Sequence, residues 1–308
     1  MDPDVSILIV NWNTRELTLA CLDSLPASVE ADARCEVIVV DNGSRDGSAE
    51  AFARRSDIRL IANPENRGYA AAVNQAYAAA HAEFILLLNS DIEFAPGALG
   101  ALLRFLHQRE DVAGVGPLYL NPDGSPQAHH YRFPTFPALL AGASRPLRRL
   151  PLLSRSDRRY RMLDDDFSSP REVPQPSASC LLLRRSCLVG ERLMDEQYPI
   201  YFNDVALARS LALAGHRLWM TPEAVVYHEH GASTRLLGGA LARHHIGALV
   251  RYLSWAQPRY QLLLFRALVL VQKLVLYAVR RPGALPPREL WAALRGDPGP
   301  LPQAPAAH

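Results

Sequence analysis

Three observations predict an α/β fold with a mostly parallel central sheet. Strand-like and helix-like segments alternate through the first third of the chain, as in successive βαβ units. The strand candidates are unbroken apolar runs, such as FILLL at 84–88, which suits strands covered on both faces. Three of these strands end in clusters of Asn, Asp, Ser and Gly, at the sheet edge where α/β proteins bind ligands.

Taken in order, VSILIV (5–10) is the first strand, and an amphipathic helix follows from Arg15 to Leu25. EVIVV (36–40) is the second, ending at DNGSRDGS, a turn-rich loop that opens another helix. IRLIA (58–62) leads through NPENRG into an alanine-rich helix, and FILLL is the fourth strand. Beyond Val112 to Gly116, the NPDG of LYLNPDGSPQ predicts a hairpin. Residues 134–176 are rich in proline and arginine without a clear period, and long loops are expected there. ASCLLL (178–183) resumes a strand. NDVALARSLALAG predicts a helix over 203–215, with Asn203 as N-cap and Gly215 just past the end. From Leu236 the pattern is helical, and from Pro282 a loose tail is expected.

The 308 residues are 49% hydrophobic and 21% charged, enough chain for one large domain or one domain with an appendage. A formal net charge of +2 is too small to argue for a nucleic-acid partner. Cys21, Cys35, Cys180 and Cys187 lack CxxC spacing, which argues against a disulfide framework or zinc site and for a reducing cytoplasm. The opening MDPDVSILIV has no basic n-region, so no signal peptide is expected. No GxGxxG follows the first strand, which argues against a dinucleotide-dependent oxidoreductase.

The polar strand ends are Asn11-Trp12-Asn13-Thr14, Asp41-Asn42-Gly43-Ser44 and Asn89-Ser90-Asp91. Each could be ordinary turn chemistry, since these are turn residues. Three at one edge, two of them with acids, favour a shared site. A divalent cation held mainly by substrate phosphates needs one or two protein carboxylates, and Asp91 suits that duty. Asn89 could bond a ribose or a metal-bound water, and Asp41 could accept the imide N–H of uracil or thymine. Asn66-Arg67-Gly68, opening the alanine-rich helix, offers backbone N–H groups and a cation where a pyrophosphate could lie.

SILIVNWNT, VVDNGSRDGS, NRGYAAAVNQAY and LLLNSDIEF stand in the order and spacing of the family-2 glycosyltransferases of GT-A (Rossmann-like, nucleotide-diphospho-sugar transferase) fold. The subgroup resembled is the bacterial rhamnosyltransferase-like enzymes, and the resemblance covers residue 5 to about 234. It implies an inverting, metal-dependent hexosyltransferase that uses Mg²⁺ or Mn²⁺ and a nucleotide-diphosphate sugar, dTDP-rhamnose or a UDP-sugar. The acceptor would be a glycan or lipid-linked molecule in surface polysaccharide biosynthesis, at the inner face of the cell membrane. Residues 89–91 match the DxD-type element with Asn in its first position, leaving Asp91 for the metal and Asn11, Asn13, Asp41, Asn66, Arg67, Gly68, Asn89 and Ser90 for the donor.

MDEQYPIYFNDVALARSLALAG supplies the acceptor side of the resemblance. Asp204 matches the expected general base, and Asp195-Glu196 match a DE pair. Asn203 stands where the family has glutamate and Ala206 where an acid is frequent, so the base has lost charged neighbours. An inverting displacement needs one carboxylate to take the acceptor proton. Asp204 falls in the first helical turn, where the macrodipole favours the ionised form. His228 of VVYHEHGAST matches the histidine that completes the metal site, and an imidazole suits Mn²⁺ better than Mg²⁺; His230 is the alternative. A nucleotide-sugar-binding scaffold without turnover is the rival reading.

In RYQLLLFRALVLVQKLVLYAVRR (259–281), Arg259, Arg266, Lys273 and Arg280 recur every seven residues and form one stripe on a helix. No uninterrupted apolar run approaches the roughly 18 residues of a spanning helix. A helix lying in the membrane interface is expected. Packing on the domain or against a second subunit, with the stripe in water, is the alternative. The chain thus divides into a glycosyltransferase domain (1–234), a helical region (235–282) and a flexible tail (283–308).

Overall fold

The structure, a computed structural model, describes residues 2–29, 33–143, 145–229, 241–279 and 285–303. The chain builds β1 (Val5–Asn11), α1 (Arg15–Ser28), β2 (Cys35–Asn42), α2 (Ser48–Phe52), β3 (Arg59–Asn63), α3 (Tyr69–Ala79) and β4 (Phe84–Asn89). Next come β5 (Ile92–Phe94), α4 (Ala98–His107), β6 (Val112–Leu120), β7 (His130–Tyr131), α5 (Phe136–Ala143), α6 (Arg145–Arg148) and α7 (Pro151–Tyr160). Then follow β8 (Arg171–Glu172), β9 (Gln175–Pro176), β10 (Cys180–Arg184), α8 (Asn203–Leu213) and β11 (Arg217–His228). The last described elements are α9 (Leu241–Ala256), α10 (Arg259–Ala278) and α11 (Pro287–Leu294).

The main sheet runs β3-β2-β1-β4-β10-β6-β11-β5, with β8 added beside β11. The first four strands are parallel, β10 is antiparallel to β4 and β6, and β11 is parallel to β6. Side chains alternate across each strand and so feed two separate cores. Ile7, Ile9, Val39, Leu86 and Leu88 face α1 and α4 on one side. Leu8, Val10, Ile38, Val40 and Leu87 meet α3 and α8 on the other. Burial on both faces is why these strands are apolar without alternation; each fully buried Leu or Ile contributes roughly 1.5–3 kcal/mol.

Pairing register aligns the polar strand ends. Asn11 lies opposite Asp41, Val10 opposite Asn89, and Asn42 opposite Asn63. Gly43, at φ 77°, lies so close to the chain at Glu65 that a Cβ there would stand 2.6 Å from the Glu65 carbonyl carbon. Only glycine lets the 63–68 loop pass this near the end of β2.

Four expectations are corrected. Residues 134–176 carry α5, α6 and α7 rather than loops alone; Pro137, Pro146 and Pro151 sit in first turns, where a missing N–H costs nothing. Asn203 is not the N-cap: Phe202, at φ 67°, precedes the helix, and Asn203 donates back to Ile200 O (2.9 Å). The segment 285–303, expected as a flexible tail, forms α11 and buries Leu285, Leu290 and Leu294 in a third core with α9 and α10. On α10 the inward residues are Leu262, Phe265 and Val269, with Arg266 and Lys273 half-buried beside them. Leu263, Leu264, Val271 and Val275 face outward, and of the described stripe residues Arg259 is exposed while Arg266 and Lys273 are half-buried, so the stripe does not face water as a whole. By length and composition α10 could also cross a membrane, which the sequence argument from uninterrupted runs had discounted. Arg280 and His230 lie outside the described residues.

Candidate functional site

A cavity of about 480 Å³ opens at the carboxyl ends of β1, β2 and β4. It brings together Asn66, Gly68, Asn89, Ser90, Asp91, Asn203, Asp204 and His228 from the predicted set. Asn11, Asn13, Asp41, Arg67, Asp195 and Glu196 lie outside its lining.

Asn11 is fully buried and acts as a clamp. Its amide donates to Asp41 Oδ1 (2.7 Å) and Ser44 Oγ (3.0 Å), while its Oδ1 accepts from Thr14 and Thr18. Asp41 also accepts from Ser44 N (3.2 Å). Asn13 takes φ 52° and accepts Arg45 N at 2.7 Å, ordering the loop after β2. Asn42 ties the next loop down by donating to Asn66 Oδ1 (2.9 Å) and accepting from Arg67 N (3.1 Å). The Arg67 side chain is exposed. Glu196 accepts from Asn74 (2.9 Å) and Asp195 from Gln197 N (2.9 Å), both beside a smaller pocket behind α8.

Within the cavity, Asn89 accepts from the Tyr69 hydroxyl (3.3 Å) and donates to Ser179 Oγ (3.2 Å). Ser90 Oγ lies 3.0 Å from Thr14 Oγ1. Asp91 and His228 meet across the sheet, because β11 ends where the chain turns from β4 into β5. Asp91 O accepts Glu229 N (3.0 Å), and Asp91 Oδ1 stands 3.4 Å from His228 Nε2. Both side chains are more than nine-tenths buried.

Asp204 opens α8 on the far wall. Its Oδ1 accepts Val205 N (2.8 Å) and its Oδ2 accepts Gln175 Nε2 (3.3 Å). Burial raises its pKa above the ordinary carboxylate value, against the lowering by these bonds. Burial, and then the charges of Asp204 and Asp91, raise the Tyr69 hydroxyl. Tyr131 and Tyr160, ring centroids 5.4 Å apart, line the same wall and are likewise pushed up, by burial first and Asp204 next.

Sequence reading missed several lining residues. The indole N–H of Trp12 and the Gln175 carbonyl have no partner among the described residues, and both side chains line the cavity. His129 stacks edge-on to His228, centroids 4.5 Å apart. Pro302 also lines the cavity, and Asn66 N donates to Gln303 Oε1 (3.0 Å), so residues 302–303 pack over the predicted pyrophosphate loop. The HH pair at 129–130 is the one local signal that could have pointed to any of them.

Asp91 and His228 supply a carboxylate oxygen and an imidazole nitrogen, a donor pair that fits a divalent cation whose remaining ligands come from substrate phosphates. Among the described residues no group of three or more His, Cys, Asp or Glu side chains is placed to hold a metal ion.

Solved structures place this architecture among the GT-A glycosyltransferases. GalNAc-T7 with UDP, GalNAc and Mn²⁺ aligns with TM-score 0.56 at 16% identity, over 73% of this chain and 44% of that one. The mannosyltransferase PcManGT from Pyrobaculum calidifontis, with GDP-Man and Mn²⁺, gives 0.54 at 18%, over 95% and 79%. The glycosyl transferase family 2 profile matches residues 6–188, and the chain belongs to that family. N-acetylglucosaminyl-diphospho-decaprenol L-rhamnosyltransferase of Mycobacterium tuberculosis is 32% identical over 234 residues, 71% of this chain and 74% of the relative.

Proposed function

We propose that this glycosyltransferase moves a hexose, from dTDP-rhamnose or a UDP-sugar, to a lipid-linked or glycan acceptor in surface polysaccharide biosynthesis, inverting the anomeric carbon. One observation carries the reading: a single cavity is lined by the Asp91–His228 pair and by Asp204. Asp91 and His228 would hold Mg²⁺ or Mn²⁺, which when bound offsets the charge of the departing diphosphate. Asn89 and Ser90 would bond the ribose side of the donor, and Asn66 N–H and Gly68 would line the pyrophosphate path. Asp41, although bonded to Asn11 and Ser44, keeps acceptor capacity for a pyrimidine N–H. The acceptor hydroxyl would approach beside Tyr131 and Tyr160 and meet Asp204, which takes its proton.

The outward face of α10, with Leu263, Leu264, Val271 and Val275 exposed, suits a helix lying on the inner membrane surface, where a lipid-linked acceptor is reached.

The test is a panel of nucleotide sugars scored by melting temperature with and without Mn²⁺. A donor at about 100 times its Kd adds roughly 2.7 kcal/mol to stability. The stabilisation should need Mn²⁺ and disappear in Asp91→Asn, and the anomeric coupling of the transferred sugar should show inversion. Donor binding without nucleoside diphosphate release, with any acceptor tried, would favour the scaffold reading. No stabilisation by any nucleotide sugar would refute both.

A further inference from the structure

The NPDGSPQ turn does more than connect strands. It closes through Asn121 N to Ser125 O and Gly124 N to Asn121 O, both 2.8 Å. Its side chains form a hydrogen-bond chain whose direction is set by chemistry. Asp123 is a carboxylate, held below the usual range by Ser125, and can only accept; the Ser125 hydroxyl donates to its Oδ1 (2.6 Å). Ser125 Oγ, its one proton spent, accepts from Asn121 Nδ2 (2.8 Å). That orients the Asn121 amide, whose Oδ1 accepts from Gln127 Nε2 (2.7 Å). The second Gln127 N–H goes to the main-chain oxygen of His228 (3.1 Å). Both amide protons of Gln127 are therefore committed, and its Oε1 faces His228 Nδ1 at 2.7 Å.

An oxygen acceptor at that distance requires a proton on Nδ1. In the neutral imidazole the lone pair then sits on Nε2, the nitrogen 3.4 Å from Asp91 Oδ1. We propose that Gln127 is a positioning residue that fixes His228 in the Nδ1–H tautomer and turns Nε2 toward Asp91 as an electron-pair donor. This deepens the reading of Asp91 and His228 as the cation-holding pair and rests on it, because groups that orient ligating histidines in this way sustain metal affinity. Influence should fade outward along the chain, since Asp123 and Ser125 are exposed while Gln127 is partly buried.

The test pairs ring-nitrogen NMR of His228 with Mn²⁺ affinity measured by electron paramagnetic resonance, on the full chain. Wild type should show the Nδ1–H tautomer. Gln127→Met, close in length but without an amide, should move the ring toward the Nε2–H form and weaken Mn²⁺ binding about 10–100-fold. Gln127→Glu keeps an acceptor for Nδ1 but loses both amide donors, so it should restore the wild-type tautomer and only part of the affinity. Melting temperatures separate these effects from a loss of folding, and Ser125→Ala should change neither readout more than about twofold, as an exposed bond contributes little net energy. An Nε2–H tautomer in wild type, or a Gln127→Met protein with unchanged tautomer and affinity, overturns the proposal. A tautomer that shifts in a protein that binds no Mn²⁺ would support the positioning role and refute the cation reading of the pair.

Discussion

Asp204→Asn separates the work of a carboxylate from its cost. The change keeps size and shape, replacing one oxygen by an amide nitrogen. Val205 N can still donate to the new side-chain oxygen, as it does now at 2.8 Å. Gln175 can turn its amide so that its carbonyl, unpaired among the described residues, accepts from the new N–H. What disappears is the proposed base, worth about 10²–10⁴-fold in the chemical step, or roughly 3–5 kcal/mol at about 1.4 kcal/mol per tenfold. Stability should move the other way. Burial raises the folded pKa of Asp204 above its unfolded value, so its favourable contribution exists only at low pH and is lost as pH rises through the folded value. At neutral pH the ionised side chain is a net cost to folding, and its removal should raise the melting temperature. Sugar transfer and nucleoside diphosphate release, measured with Mn²⁺ beside calorimetry at pH 7, report both effects. In wild type the acid limb of kcat/KM should lie above the ordinary carboxylate range, and the variant should lack it. A variant with activity within about tenfold of wild type, or one that melts lower, would refute the assignment.

Three further outcomes follow from the geometry. Gly43→Ala forces a Cβ to within 2.6 Å of the Glu65 backbone at φ 77°, so urea unfolding should show a loss of about 3 kcal/mol or more, with donor binding impaired as the 63–68 loop shifts. Leu264→Asn with Val271→Asn, at two outward positions of α10, should leave the melting temperature nearly unchanged yet cut vesicle co-sedimentation several-fold; unchanged sedimentation would sink the membrane reading. Gln303→Ala frees the Asn66 N–H on the proposed pyrophosphate side of the cavity, and the donor KM should fall about 2–10-fold, the range of one hydrogen bond; a rise would mean Gln303 helps build the donor site.

Local pattern carried the sheet. Residues 5–10, 36–40 and 84–88 became strands because two-sided burial demands continuous apolar runs, and that demand is written into adjacent residues, while 58–62 became a half-exposed edge strand. The polar strand ends were legible for the same reason, and Asp91, His228 and Asp204, singled out through the family resemblance, line one cavity. The proline-rich 134–176 misled because proline breaks a helix interior but suits its first turn, and composition does not say which.

By itself the sequence determined which strands are buried, where each turns polar, and which acids and histidine belong to one family pattern, since those depend on neighbours a few residues apart. Only the tertiary structure decided that Asn11 bonds Asp41, that Asp195 and Glu196 sit behind α8, that residues 302–303 reach Asn66, and that Gln127 meets His228. Those partners are separated by tens to hundreds of residues. Such contacts arise from packing and from the directionality of hydrogen bonds in three dimensions, which no local period encodes.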